Sequence, residues 1–340
     1  MRALRISAWG GALEPVVVAE PEPSRGEVLV RVEACGIGVT VLQCMNGQLG
    51  AEESHLPRVP GHELVGIVEA VGSDTDPALV GRRVMAYFYL VCGTCRECLA
   101  SRDSTCLNFR GNVGVAIDGG YAEYAVLPSL NAIEVPREVD PVAATTIPDA
   151  IATPVHIARR AGLGPRTRVA VLAAGGGVGL HMVQVARAYG AEVVGLDVVP
   201  DKLEYLEAEL GVRAVDSSDF GAIALPPPWA GKADVVIDLY GRAPAQRWAL
   251  DHLAKNGSLM CLTSMRDEEF TVSSRELVLS QLAVLGCRYA SRYEVGLAAE
   301  LVTFGRVRPL VSAVVGPEEV RAVHERIRSG SFLGRAALAW

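Results

Sequence analysis

Apolar positions follow two different rhythms along this chain. Over residues 1 to about 150 they form short runs, VVVAEPEP, EVLVRVEACGIG, LVGIVEAVG, RRVMAYFYLV and GGYAEYAVLP, broken by Gly and Pro. Val28, Val30 and Val32 stand against Glu27, Arg31 and Glu33, which predicts a strand with one buried face inside a compact β domain. From about Ile151 to Arg288 strand and helix patterns take turns, with ADVVIDLYG, a helix around Ala243 to Leu253, and GSLMCLTS. Such alternation predicts a doubly wound parallel sheet, so the overall class is α/β. Beyond that, LAAELVTFG and PEEVRAVHERIRSG read as helices and GRAALAW as a strand. Domains are expected at 1–150, 151–288 and 289–340.

The clearest unit is Arg168 to Asp197, RVAVLAAGGGVGLHMVQVARAYGAEVVGLD. Val169, Val171 and Leu172 make the short apolar run of a parallel strand covered on both faces. A glycine turn follows, in which Gly176, Gly177, Val178 and Gly179 bring backbone N–H groups to a helix start, the place where a pyrophosphate is favoured. Ala174, Gly176 and Gly179 run close to the dinucleotide fingerprint, with Ala174 at its first glycine. Met182, Val183, Val185, Ala186 and Tyr189 give the helix one packing face, Val193 to Leu196 form the next strand, and Asp197 ends it. An acid there accepts hydrogen bonds from an adenosine ribose, and a 2′-phosphate would set a second negative charge against it. NAD(H) is therefore expected over NADP(H), with Lys202 the nearby cation that softens the preference.

Composition narrows the partners. With 340 residues, half of them hydrophobic, the chain has enough apolar material for more than one core. A net charge of −7 without a basic block argues against nucleic acid and against an anionic membrane surface, leaving a small molecule as the ligand. MRALRISAWGG lacks the apolar core of a secretion signal and no stretch is long enough to span a bilayer, so a cytoplasmic protein is expected.

Four of the eight cysteines, Cys92, Cys95, Cys98 and Cys106, fall in the spacing C-x2-C-x2-C-x7-C, which points to metal rather than to disulfides. Four sulfurs with no open position make a closed tetrahedral zinc site that stabilises a lobe at about residues 90–108. An iron–sulfur cluster uses similar ligands.

Taken together, Ala34-Cys35-Gly36, Gly61-His62-Glu63, the four cysteines, Gly119-Gly120-Tyr121-Ala122-Glu123-Tyr124, the nucleotide unit and Gly334-Arg335 resemble the zinc-type medium-chain dehydrogenases/reductases, the superfamily of zinc alcohol dehydrogenases. The resemblance implies a GroES-like catalytic domain built from both ends of the chain, a Rossmann domain inserted between them, and a homodimer or homotetramer. It assigns the cysteines to a structural zinc, Lys202 to the adenosine ribose and Arg335 to the pyrophosphate, and it puts Phe88 or Tyr89 at the substrate pocket. His62 and Asp149 fall at catalytic-zinc ligand positions, Glu63 follows His62, and Thr40 matches the hydroxyl that relays the substrate proton. Gly38 stands where the family has its ligand cysteine, however, and Val41 replaces the acid that holds the metal-binding histidine. Cys35, Cys44, His156 and His181 read as packed side chains.

These residues lead first to an NAD(H)-dependent oxidoreductase interconverting an alcohol and an aldehyde or ketone, with one structural zinc and a catalytic zinc held, if at all, by His62, Asp149 and Glu63. The alternative is a metal-independent reductase of activated carbon–carbon double bonds, prompted by Gly38. A non-catalytic NAD(H)-binding sensor is the third.

Overall fold

Val169, Ala170 and Val171 are fully buried, as a strand covered on both faces requires. In the computed structural model, which describes residues 1–50, 52–263 and 268–340, they belong to a unit made of Thr153–Tyr289 with Arg306–Arg308. Its strands are β1 (Arg168–Leu172), β2 (Glu192–Asp197), β3 (Arg213–Asp216), β4 (Ala233–Asp238), β5 (Leu253–Cys261) and β6 (Ala283–Gly286). All neighbours pair in parallel, and the order across the sheet is β3-β2-β1-β4-β5-β6, the Rossmann order with its reversal beside β1. One face packs Ala170, Leu172, Val194, Leu196, Val236 and Leu259 with Trp248 and Leu250 of the helix Ala243–Asp251. The periodicity had placed neither β3 nor β6, whose residues are only half-buried or exposed at the sheet margins. The GSLMCLTS run is strand up to Cys261, and its last residue, Ser264, lies outside the described residues.

The other unit comprises Met1–Ala152, Ala290–Gly305 and Pro309–Trp340, so both chain ends build one body. At its centre is the eleven-residue strand Glu27–Ile37. Antiparallel to it run Leu64–Val71, Tyr124–Pro128 and the terminal strand Arg335–Ala339. Val28, Leu29, Val30 and Val32 are all buried, while Arg31 alone turns fully outward. The one-faced alternation expected for Glu27–Glu33 is thus broken at Leu29, which lies on the same face as Arg31 yet is covered. Arg83–Ala86 and Ala132–Glu134 extend the sheet on one side and Val311–Val315 on the other. A core of Val30, Ile37, Leu64, Val68, Tyr121, Leu127 and Leu338 fills its interior. No helix among the described residues is long and apolar enough to cross a membrane.

Candidate active site

Register builds the site in the β-rich unit. Ala336 pairs with Ile37 in the terminal strand, which sets Arg335 opposite Gly38. On the other edge Leu64 pairs with Cys35, and the Gly36 N–H donates to the Glu63 carbonyl at 3.0 Å. Residues 36 and 38 share a face of the strand by the two-residue alternation, and both are glycine. Over that bare face the Glu63 carboxylate and the Arg335 guanidinium meet as an ion pair, their side chains 0% and 4% exposed. A Cβ at Gly36 would stand 2.9 Å from the Glu63 Cβ. One at Gly38 would overlap Nη1 and Cζ of Arg335 and lie 2.8 Å from Nη2. Burial pushes the Glu63 carboxyl up against the opposing pull of Arg335 and His62. Burial works the other way on Arg335, but Glu63 and Asp149 outweigh it and hold the guanidinium above its ordinary value.

Asp149 comes from a single π turn, Ile147–Ile151, closed by the Ile151 N–H on the Thr146 carbonyl at 2.9 Å. Such turns recur at functional positions because the extra residue re-aims a side chain. Asp149 Oδ2 lies 3.2 Å from Nε2 of the buried His62 and accepts from the Thr40 hydroxyl at 3.3 Å. Thr40, in the short helix Val39–Met45, is half-buried, so it is the member of this chain of groups that faces outward. The Phe88 ring covers His62 with 4.2 Å between centroids, and Tyr89 packs on Phe88. Cys35 and Cys44 are buried thiols, each pushed well up, first by burial and then by the nearby carboxylates of Glu63 and Asp149 respectively.

The ligand atoms of His62, Glu63 and Asp149 lie within 4.8 Å of one another. This donor set nonetheless fits a catalytic divalent ion poorly. The 3.2 Å between Nε2 and Oδ2 suits an N–H···O hydrogen bond and also the spacing of two ligands on one ion. Nδ1, however, is buried with no hydrogen-bond partner among the described residues. The ring is therefore not held from behind, as the other nitrogen of a metal-bound histidine ordinarily is. Glu63 is already engaged by Arg335, and no thiolate completes the set.

The cysteine lobe is different. Sγ of Cys92 is 3.6 Å from that of Cys106, and Sγ of Cys95 is 3.6 Å from Cys98 and 3.9 Å from Cys106. Metal–sulfur bonds of ~2.3 Å in a tetrahedron space the sulfurs about 3.8 Å apart, so one zinc ion fits. N–H groups of Thr94, Asn108 and Cys95 hold the Cys92 thiol down at about 5. Within the lobe Asp103, 2% exposed, accepts from the backbone N–H and the guanidinium of Arg292, which starts the helix Arg292–Thr303.

In the Rossmann unit the helix Gly179–Ala188 starts without a side-chain cap. Gly176 N–H closes on Ala173 O and Leu180 N–H on Gly176 O, leaving the Gly177 and Val178 N–H groups without an acceptor among the described residues. They fit a phosphate. A Cβ on Gly179 would come within 2.7 Å of Ala174 backbone atoms, so only glycine lets the helix sit this close to the strand end. Asp197 accepts from the N–H groups of Gly175 (2.8 Å), Val198 (2.8 Å) and Val199 (3.2 Å), and both it and Lys202 are 7% exposed. His181 is buried, its Nδ1 2.6 Å from Gly177 O, a packed side chain. Arg335, expected at the pyrophosphate, has its guanidinium engaged by Glu63 within the β-rich unit. Sequence reasoning missed that contact, and its one local signal is the pair of glycines two residues apart.

Comparison with known proteins agrees with this architecture. A family model described as alcohol dehydrogenase GroES-like domain matches residues 24–137, and one described as zinc-binding dehydrogenase matches 177–303. An alcohol dehydrogenase of Geobacillus stearothermophilus is 30% identical over 99% of this chain and 98% of its own. An acryloyl-coenzyme A reductase of Metallosphaera sedula is 27% identical over 99% of both. The crystal structure of a thermostable alcohol dehydrogenase from Pyrobaculum aerophilum superposes with a TM-score of 0.89 at 29% identity, covering 100% of this chain and 99% of that one. With a GroES-like unit made from both chain ends around an inserted Rossmann unit, the chain belongs to the zinc-type medium-chain dehydrogenase/reductase superfamily and is an NAD(P)-dependent oxidoreductase.

Proposed function

We propose that this oxidoreductase reduces a carbon–carbon double bond conjugated to a carbonyl, with NADH as hydride donor. The observation that carries the reading is the Arg335 guanidinium filling the space at Gly38, next to the Glu63 that follows His62, whose Nδ1 has no partner among the described residues to hold the ring as a metal ligand. A simple ketone needs an electrophile on its oxygen as hydride arrives, whereas a conjugated substrate spreads the charge itself. Bound NADH would supply a hydride to the β carbon, the substrate's own carbonyl would take up the displaced π electrons as an enolate, and the α carbon would then take a proton. We take Thr40 as the hydroxyl that delivers that proton, its O–H turning from Asp149 to the substrate and recovering a proton from solvent on its exposed side. The Metallosphaera relative, a reductase of acryloyl-coenzyme A by name, supports this substrate class.

NAD(H) is preferred because three N–H groups occupy three of the roughly four lone-pair positions of the Asp197 carboxylate, leaving one for a ribose hydroxyl and no tolerance for a 2′-phosphate. Zinc in the cysteine lobe is structural, holding the loop that carries Asp103.

One observation favours a second reading, the interconversion of an alcohol and a carbonyl. Thr40 donates to Asp149, so its own oxygen is free to accept from a substrate hydroxyl and pass the proton inward. The deciding experiment follows NADH oxidation with enones, quinones and enoyl thioesters, and NAD+ reduction with primary and secondary alcohols. Turnover of alcohols without consumption of any conjugated substrate would sink the first reading in favour of the second.

A further inference from the structure

We propose that Gly38 and Arg335 act as a pair that keeps a divalent ion out of the His62–Asp149 centre, the guanidinium standing as that centre's own cation in the space a ligand side chain at 38 would need. The strand register delivers Arg335 opposite Gly38 from one edge and Glu63 opposite Gly36 from the other. With no Cβ at 36 or 38, the two long side chains close over the strand and become almost wholly buried. Any side chain at 38, a cysteine included, overlaps Arg335 unless the guanidinium leaves. It does not leave readily, because Glu63 would then be a buried carboxylate without its cation.

Three features of the centre act in the same direction. Glu63, one of the three candidate ligands, is neutralised by Arg335. His62 has no hydrogen-bond partner for Nδ1 among the described residues, so its ring is not held from behind as a metal ligand's ordinarily is. A guanidinium beside the cluster repels a second cation in surroundings that screen charge weakly. Restoring the thiolate alone is therefore insufficient, and an ion site requires a change at 38 and at 335 together. Ion exclusion holds whichever substrate is turned over, so a failed substrate screen leaves it standing.

Zinc per chain, measured by elemental analysis after exposure of the full-length protein to excess zinc and dialysis, tests this. Wild type and Gly38→Cys are expected to hold one zinc, in the cysteine lobe. Gly38→Cys/Arg335→Ala is expected to hold two, the second lost when His62→Ala is added. A second zinc in wild type that His62→Ala removes overturns the proposal, and so does a second zinc in Gly38→Cys alone. It is equally overturned by a double variant that keeps its lobe zinc and wild-type circular dichroism yet stays at one. Should the double variant fail to fold, calorimetric titration of zinc-loaded wild type with cobalt(II) decides the matter: no uptake dependent on His62 is expected, and such uptake would overturn it.

Discussion

Glu63 and Arg335 reach each other across a strand to which neither belongs. Glu63 precedes Leu64–Val71, Arg335 opens Arg335–Ala339, and Gly36 and Gly38 of Glu27–Ile37 lie bare between them. Breaking one side of such a buried pair costs far more than replacing both. Arg335→Ala is expected to lower stability by about 3–5 kcal/mol, and Glu63→Gln/Arg335→Met by less than half as much. Urea unfolding of the two variants checks the order, and an equal loss in both would contradict it.

Gly38→Ala adds one methyl group where the guanidinium stands. The expected loss is about 1–3 kcal/mol from overpacking, without the partner loss of Arg335→Ala. A wild-type melting temperature in this variant would mean that Arg335 has room to step aside.

Thr40→Val removes the outward hydroxyl and keeps the side-chain shape. A fall in kcat of about 10²-fold with unchanged NADH affinity is the expected result in steady-state kinetics and fluorescence titration. Equal losses in both quantities would point to a disturbed fold.

Asp197→Ser should weaken NADH binding roughly tenfold, about 1.4 kcal/mol, and improve NADPH binding relative to it. Direct titration with the two dinucleotides reads the ratio. An unchanged ratio would move cofactor choice elsewhere in the unit.

The Tyr121 hydroxyl meets Nε2 of His324 at 3.0 Å, and burial, with Arg328 nearby, lowers the His324 imidazole to about 4. In the unfolded chain the same group titrates near ~6.5, so below that pH the unfolded state binds the extra proton. The contribution of neutral His324, at most about 3 kcal/mol, is complete above pH ~6.5, falls as pH drops through that window, and is gone near pH ~4. Unfolding free energies across this range should slope less steeply in His324→Gln than in wild type.

The βαβ unit was legible because buried parallel strands and a glycine turn are local in sequence, and so was the cysteine lobe, whose ligands crowd into one loop. His62, Asp149 and Thr40 could be named from motif positions, and they meet. What stayed hidden depends on pairing between distant segments. Nothing near residue 335 says that its strand will lie against residues 34–37, so Arg335 could not be placed on Glu63. The π turn at Ile147–Ile151 is too short to leave a period, and Pro148 inside it reads as a simple break. Leu29 is buried on the face where Arg31 is exposed, and alternation alone does not reveal that part of this face is covered.

Arg335 comes far later in the sequence than Glu63, His62 and Asp149. During synthesis those three are all made long before their cation, and the strand that carries it can add itself to Ala34–Ile37 only once residues 335–339 have been made. Charge balance at this centre thus waits on a late event of assembly, and until that strand arrives Glu63 is a carboxylate with nothing to hold.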